Sequence, residues 1–257
     1  MPTPRSLRSR DPLAVAVTEA IRSGDLDSLR RLLAGHPGLA TVRVVEEREG
    51  CGPGGRSLLH LAADWPGHVP RGPETVAVLV AAGADPGTRF TGAHRETPLH
   101  WAASNDDVPM IDALVAAGAD IEADGAVIAD GTPLADARAF GQWRAARRLL
   151  ELGARPTFQD AATLGLDEVV EARLAAVPPP SQEEITDAFW GACQGGRLST
   201  VVRLLACGAD LDRIGWGGLT PLDIARAGDT EHHAEVVAWL TAGGARTRAE
   251  VDAAGRD

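Results

Sequence analysis

Asp64 and His68 in one turn, with Asp106 and Asp107 in the next, come nearest to a metal-binding set in this sequence, and their spacing follows no ligand pattern. Carboxylates at Asp106 and Asp107 have a simpler use, at the N-terminus of the helix that follows them. Cys51, Cys193 and Cys207 form no spaced pair. A nucleophilic Cys193 would need a neighbouring base, and no histidine shares its register. The G-x-S-x-G, H-E-x-x-H and P-loop patterns are absent. All 25 basic residues are arginine, which excludes a Schiff-base or PLP-anchoring lysine. The run Cys51-Gly52-Pro53-Gly54-Gly55 lacks the strand-before, helix-after context of a phosphate cradle and reads as a flexible loop. No catalytic set is assigned, and neither a metal nor a cofactor is expected.

Recognition chemistry is better represented. The chain holds 6 Trp, 4 Phe and no Tyr, and its single asparagine is Asn105. These residues are positioned by elements with a clear period. In Arg95–Asp120, Thr97-Pro98 reads as a cap followed by proline at the first helical position. A short helix follows, then a polar turn, then a longer helix carrying Ile111, Leu114 and Val115 on one face and ending at Gly118. Such a hairpin cannot bury its own apolar face and needs copies beside it.

The copies are present. Gly83-Ala84-Asp85, Gly118-Ala119-Asp120 and Gly153-Ala154-Arg155 recur 35 residues apart, and 35 also separates Gly208 from Gly243. Apolar triads precede them at fixed offset: Val76/Leu79/Val80, Ile111/Leu114/Val115, Ala146/Leu149/Leu150 and Val201/Leu204/Leu205. The Thr-Pro-Leu element returns at Thr97, Thr132 and Thr220. With Thr97-Pro98-Leu99-His100-Trp101-Ala102-Ala103 nearly the consensus, the chain resembles the ankyrin-repeat family. The resemblance implies an all-α ankyrin-repeat solenoid of about seven helix-turn-helix repeats, with degenerate ends and a degenerate fifth repeat.

The expected organisation is an N-terminal tail (1–11), one repeat domain (12–250) and a C-terminal cap or tail (246–257). The repeats fall at about 12–37, 55–85, 92–120, 129–155, 156–180, 183–210 and 216–245. Residues 38–56 read as a long connection. The inter-helix turn of the second repeat, Asp64–Pro73, is expanded, and Ala123–Asp130 makes a hairpin-like finger. Pro178-Pro179-Pro180 replace the glycine stop of the fifth repeat.

The resemblance implies binding through a concave groove formed by the fingers and the inner face of each first helix. Carried over repeat by repeat, the groove positions are Arg56, Asp64 and Trp65, with His68 in the expanded turn. Then come Glu96, Trp101, Ser104 and Asn105, followed by Asp136 and Phe140. Trp190, Cys193, Gln194 and Trp216 complete the set. For Trp101 and Trp190, placed at the consensus leucine, core filling and ligand contact both remain open. His60 and His100 take the consensus histidine, which the resemblance assigns to hydrogen bonds between repeats. Trp239 is expected in the core, and His232-His233 as an exposed turn pair.

Net charge is −11, which disfavours nucleic acid, and no apolar run approaches a membrane span. Scattered cysteines without a signal peptide point to a cytoplasmic protein, and a monomer is expected. The leading functional reading is a scaffold gripping a partner protein or peptide. The alternative is a small-molecule pocket, possibly catalytic, roofed by the 64–73 loop. A purely structural spacer fits poorly with repeats so unequally decorated.

Overall fold

The computed structural model describes residues 6–48 and 51–254, with the backbone alone at 47–48 and 51–53; residues 1–5 and 255–257 of the expected tails lie outside the described residues. The chain divides into two compact units, Met1–Arg155 and Pro156–Asp257. In the first unit β1 (Ser6–Arg8) precedes α1 (Pro12–Ser23) and α2 (Leu26–Gly35), followed by β2 (Arg43–Arg48) and β3 (Cys51–Ser57). Three more helical hairpins complete it: α3 (Leu58–Ala63) with α4 (Gly72–Ala81), α5 (Pro98–Ser104) with α6 (Val108–Ala116), and α7 (Pro133–Ala139) with α8 (Trp143–Glu151). The second unit pairs α9 (Phe158–Leu164) with α10 (Asp167–Leu174), α11 (Gln182–Gln194) with α12 (Leu198–Ala206), and α13 (Pro221–Arg226) with α14 (Glu231–Ala242); α15 (Arg248–Ala254) follows. The architecture is mostly helical, as the repeats imply. Among the described residues, one small sheet is added.

That sheet corrects the expectation for 38–56. β1 runs parallel to β2, and β2 pairs antiparallel with β3, so the stretch is a hairpin and not a flexible loop. The glycines there serve close approach. A Cβ at Gly55 would collide with the Thr91 hydroxyl, and one at Gly54 would lie 2.9 Å from the Phe90 ring. Gly55 and Thr91 exchange backbone hydrogen bonds of 2.9 and 3.2 Å, a bridge that a side chain on this face would block. The C-terminal tail likewise contains a helix, α15, tied back by the Arg248 N–H donating to Asp223 at 2.8 Å.

The longer helices end as the glycine spacing predicts. Ala84, Ala119, Ala154 and Ala209 donate N–H to Leu79, Leu114, Leu149 and Leu204, each bond closing over a left-handed glycine. The last copy is displaced by one residue. Gly244, not Gly243, is left-handed, and Ala245 donates to Leu240 at 3.0 Å. In each apolar triad the first two residues are buried and the third is half-buried.

The hairpins are joined by a recurring bond. His60 and His100 stand at the third position of their helices and accept the N–H of their own caps, Ser57 and Thr97. Their Nε2 atoms reach the carbonyls of Glu96 (3.1 Å) and Gly131 (3.3 Å), each immediately before the next cap. Burial pushes their pKa values down to about 3 and about 4, so both rings are neutral, with Nδ1 accepting and Nε2–H donating. In the second unit Asp160, Glu184 and Asp223 occupy the third helical position; carboxylates accept the cap N–H but have no proton for the next hairpin. There Trp190 supplies the donor, its indole N–H giving 3.0 Å to Leu219 O, again the residue before a cap. Counted back from the left-handed turn residue, Trp190 precedes Gly196 by the same 6 residues that separate His100 from Asp106. It therefore holds the histidine register, not the leucine register expected for it.

His233 is a second correction. His232 is exposed, but His233 is buried, its Nδ1 beside the Thr230 hydroxyl and its Nε2 on Gln194 O at 2.9 Å. Trp190→Phe keeps most of the ring volume and leaves the Leu219 carbonyl without its indole donor. That carbonyl keeps the Gly215 N–H, so the expected cost is about 0.5–1.5 kcal/mol of stability, read as a lower urea midpoint for the second unit. An unchanged midpoint would show that the bond contributes nothing.

Candidate partner-binding site

In the first unit the inner helices α3, α5 and α7 stack in order, and the residues at their C-terminal ends meet around one cavity of about 440 Å³. Seven of the expected groove residues line it: Asp64 and Trp65 after α3, Glu96 before α5, Trp101, Ser104 and Asn105 along α5, and Phe140 after α7. Val127 of the finger and Gln142 of the following turn also line it, and neither stood out in the sequence.

Several of these side chains are committed to holding the wall. The Asn105 amide donates 2.8 Å to Ala63 O, so the lone asparagine ties two hairpins together. Gln142 does the same one hairpin further on, donating 2.9 Å to Ser104 O. The Ser104 hydroxyl turns back to His100 O. Asp64 accepts from Arg56 at 2.8 Å, and Arg56 also pairs with Glu46 at 3.1 Å. Trp101 is set between rings, with centroids 4.9 Å from His60 and 5.5 Å from Phe90, the latter an aromatic missed in sequence. Its indole lowers the pKa of the Glu96 carboxyl, against the rise that burial causes. The rim is different in kind: Trp65 is 80% exposed and Phe140 41%.

The expanded 64–73 turn does not roof this cavity, since only Asp64 and Trp65 of it are in the lining. Its remainder lies along the α5–α6 turn. The His68 N–H donates 2.7 Å to Asp107, and Gly67 packs on the Asn105 side chain. Asp107 also caps α6 through the Met110 N–H, and Asp106 reaches forward to the Ala145 N–H at 2.7 Å.

The other expected residues are placed elsewhere. His68 is in the docked turn, and Arg56 lines a neighbouring cavity that shares Trp65. Trp190, Gln194, Cys193 and Trp216 belong to the second unit. Trp190 is 5% exposed with its N–H occupied, so it is a core residue and not a groove residue. Cys193 is buried as well, and burial pushes its thiol pKa up. Trp216 stands exposed in the 3-10 turn Trp216–Gly218.

Asp136 is the electrostatic anomaly. It is fully buried on α7, and neither carboxylate oxygen has a hydrogen-bond partner. Burial and the nearby Glu96 raise its pKa to about 7, against smaller opposing effects of the Val127 backbone and Arg138. Burial raises Glu96 too, opposed by the Trp101 indole and His94. An acid with a raised folded pKa takes up a proton on folding. Its stability cost is absent below the ordinary value of 3.8, grows as pH rises and is complete above about 7. Asp136→Asn removes that cost. Its stability relative to the parent should rise by about 1.4 kcal/mol per pH unit from about pH 5 to pH 7 and then level off. Urea unfolding across this range would show a flat difference if the carboxyl titrates normally.

Comparison with known proteins agrees with this architecture. Residues 68–160 match a family model described as ankyrin repeats (3 copies). Over 154 residues, 54% of this chain, the sequence is 32% identical to an ankyrin repeat and KH domain-containing protein of Caenorhabditis briggsae. The match spans 6% of that relative's length. With the hairpins, caps and glycine stops described above, these matches support an ankyrin-repeat protein.

Proposed function

We propose that the first unit binds a partner protein or peptide through the cavity bounded by Trp65, Trp101 and Phe140. Ankyrin repeats generally mediate protein–protein interaction. The observation that carries the reading is the division of labour in the wall. Asn105, Gln142, Ser104 and Asp64 are held by neighbouring hairpins, while Trp65 and Phe140 present large ring surfaces to solvent beside them. A rigid polar frame around exposed aromatic area is what anchors a partner.

The small-molecule reading draws on the same cavity, whose volume falls in the range of ligand sites. Against it, the expanded turn is docked on the α5–α6 turn and leaves Trp65 open to water, so nothing encloses a ligand there. Among the described residues no helix is long and apolar enough to cross a membrane.

Trp65→Ala and Phe140→Ala remove exposed surface and should shift stability by under about 0.5 kcal/mol. Together they should cost about 1–3 kcal/mol of partner affinity. Affinity capture from cell extract with parent and double variant checks this: proteins held by the parent should be lost from the variant. Identical retention would defeat the reading, and a low-mass ligand seen by native mass spectrometry would favour the alternative.

A further inference from the structure

The same cavity has a sign as well as a shape. Glu96 places a carboxylate in its wall while only 9% exposed. Asp136, buried and with neither carboxylate oxygen hydrogen-bonded, is close enough for Glu96 to raise its pKa. No arginine or histidine is among the lining residues, and the nearby Arg56 is engaged with Asp64 and Glu46. The rest of the wall is mainly ring surface from Trp65, Trp101 and Phe140. An anion entering here would meet Glu96 with no counter-charge. A neutral apolar group would cover that carboxylate and leave it short of water. A cation satisfies both features, drawn to the carboxylate and to the ring faces.

On the reading that this face binds a partner, we propose that the cavity receives the guanidinium of an arginine carried by the partner segment. The charge balance on the page favours this occupant. The first unit, which holds the cavity, carries 20 acidic residues against 17 arginines, a net −3 that is unfavourable to an anion and mildly attractive to a basic segment. Guanidinium suits the local geometry better than an ammonium. It is planar, weakly hydrated, stacks on indole and phenyl rings, and can fork onto a single carboxylate. The Trp101 indole favours the ionised form of Glu96, and a carboxylate has acceptor capacity for an incoming donor.

The test begins with phage-displayed random peptides of about twelve residues, selected on the full chain and depleted on the Trp65→Ala/Phe140→Ala protein. Only binders that depend on the wall survive, which removes basic peptides attracted by net charge alone. Surviving sequences are synthesised with each arginine kept, or replaced by citrulline or lysine, and titrated against the parent and Glu96→Gln. The expected result is one arginine whose conversion to citrulline loosens Kd by about tenfold or more on the parent, and much less on Glu96→Gln. Wall-dependent peptides that lack arginine, tolerate citrulline, or bind as well with lysine would overturn the proposal and leave partner binding standing. Recovery of no wall-dependent peptide would overturn both. Should Glu96→Gln fail to fold by circular dichroism, the citrulline comparison on the parent alone decides.

Discussion

The junctions described above share one interaction: a backbone carbonyl just ahead of a helix cap, already holding one backbone N–H, takes a second donor from the preceding hairpin. Glu96, Gly131 and Leu219 are those carbonyls, and His60, His100 and Trp190 are their donors. Each carbonyl also accepts a backbone N–H, from Phe90, Ala126 and Gly215 in turn, so the side-chain donor fills a second lone pair and contributes about 0.5–1.5 kcal/mol. Histidine suits the role because a neutral imidazole carries one acceptor and one donor on opposite sides of the ring. The acceptor closes its own cap, and the donor reaches the next hairpin. Burial deep enough to keep the ring uncharged is part of the device, since a protonated ring would lose the acceptor.

Where the cap partner becomes a carboxylate, the two functions separate. Glu184 closes the cap of α11 through the Ser181 N–H, and Trp190, farther along the helix, makes the outward bond. From α9, Gln159 donates 3.3 Å to Asp187 O, within α11. The second unit also brings α9 and α11 together over glycine. A Cβ at Gly195 would collide with the Thr163 carbonyl, and one at Gly191 with its hydroxyl. The Trp190 indole and the small residues here serve packing. In the first unit, by contrast, the Trp101 and Trp65 indoles border open space.

The helical framework is legible from sequence because its signals are local and repeated: a cap, a two-residue apolar face and a left-handed glycine in fixed order. Much of the cavity lining follows from the same register, which is why Asp64, Trp65, Glu96, Trp101, Ser104, Asn105 and Phe140 converge. What is not legible depends on contacts between distant residues. Gly54-Gly55 looks flexible until Phe90 and Thr91 are laid against it. Trp190 and Gly244 are each displaced by one residue, a slip that composition cannot reveal and turn geometry does. Asn105 correctly suggests a specific hydrogen bond, but the acceptor is Ala63 of the neighbouring hairpin.

Asp136 does not fit a purely structural account, and for that reason it bears on function. It stands in α7 where Trp101 stands in α5 and Leu61 in α3, so an apolar residue is compatible with the stack at that position. A carboxyl buried there without a hydrogen bond lowers stability at neutral pH, and the nearby Glu96 makes it harder still to ionise. Neither effect helps the hairpins assemble. Asp136 is not in the lining of the cavity, but it stands beside Glu96, which is, and a positive charge reaching Glu96 would weaken the repulsion that raises the Asp136 pKa.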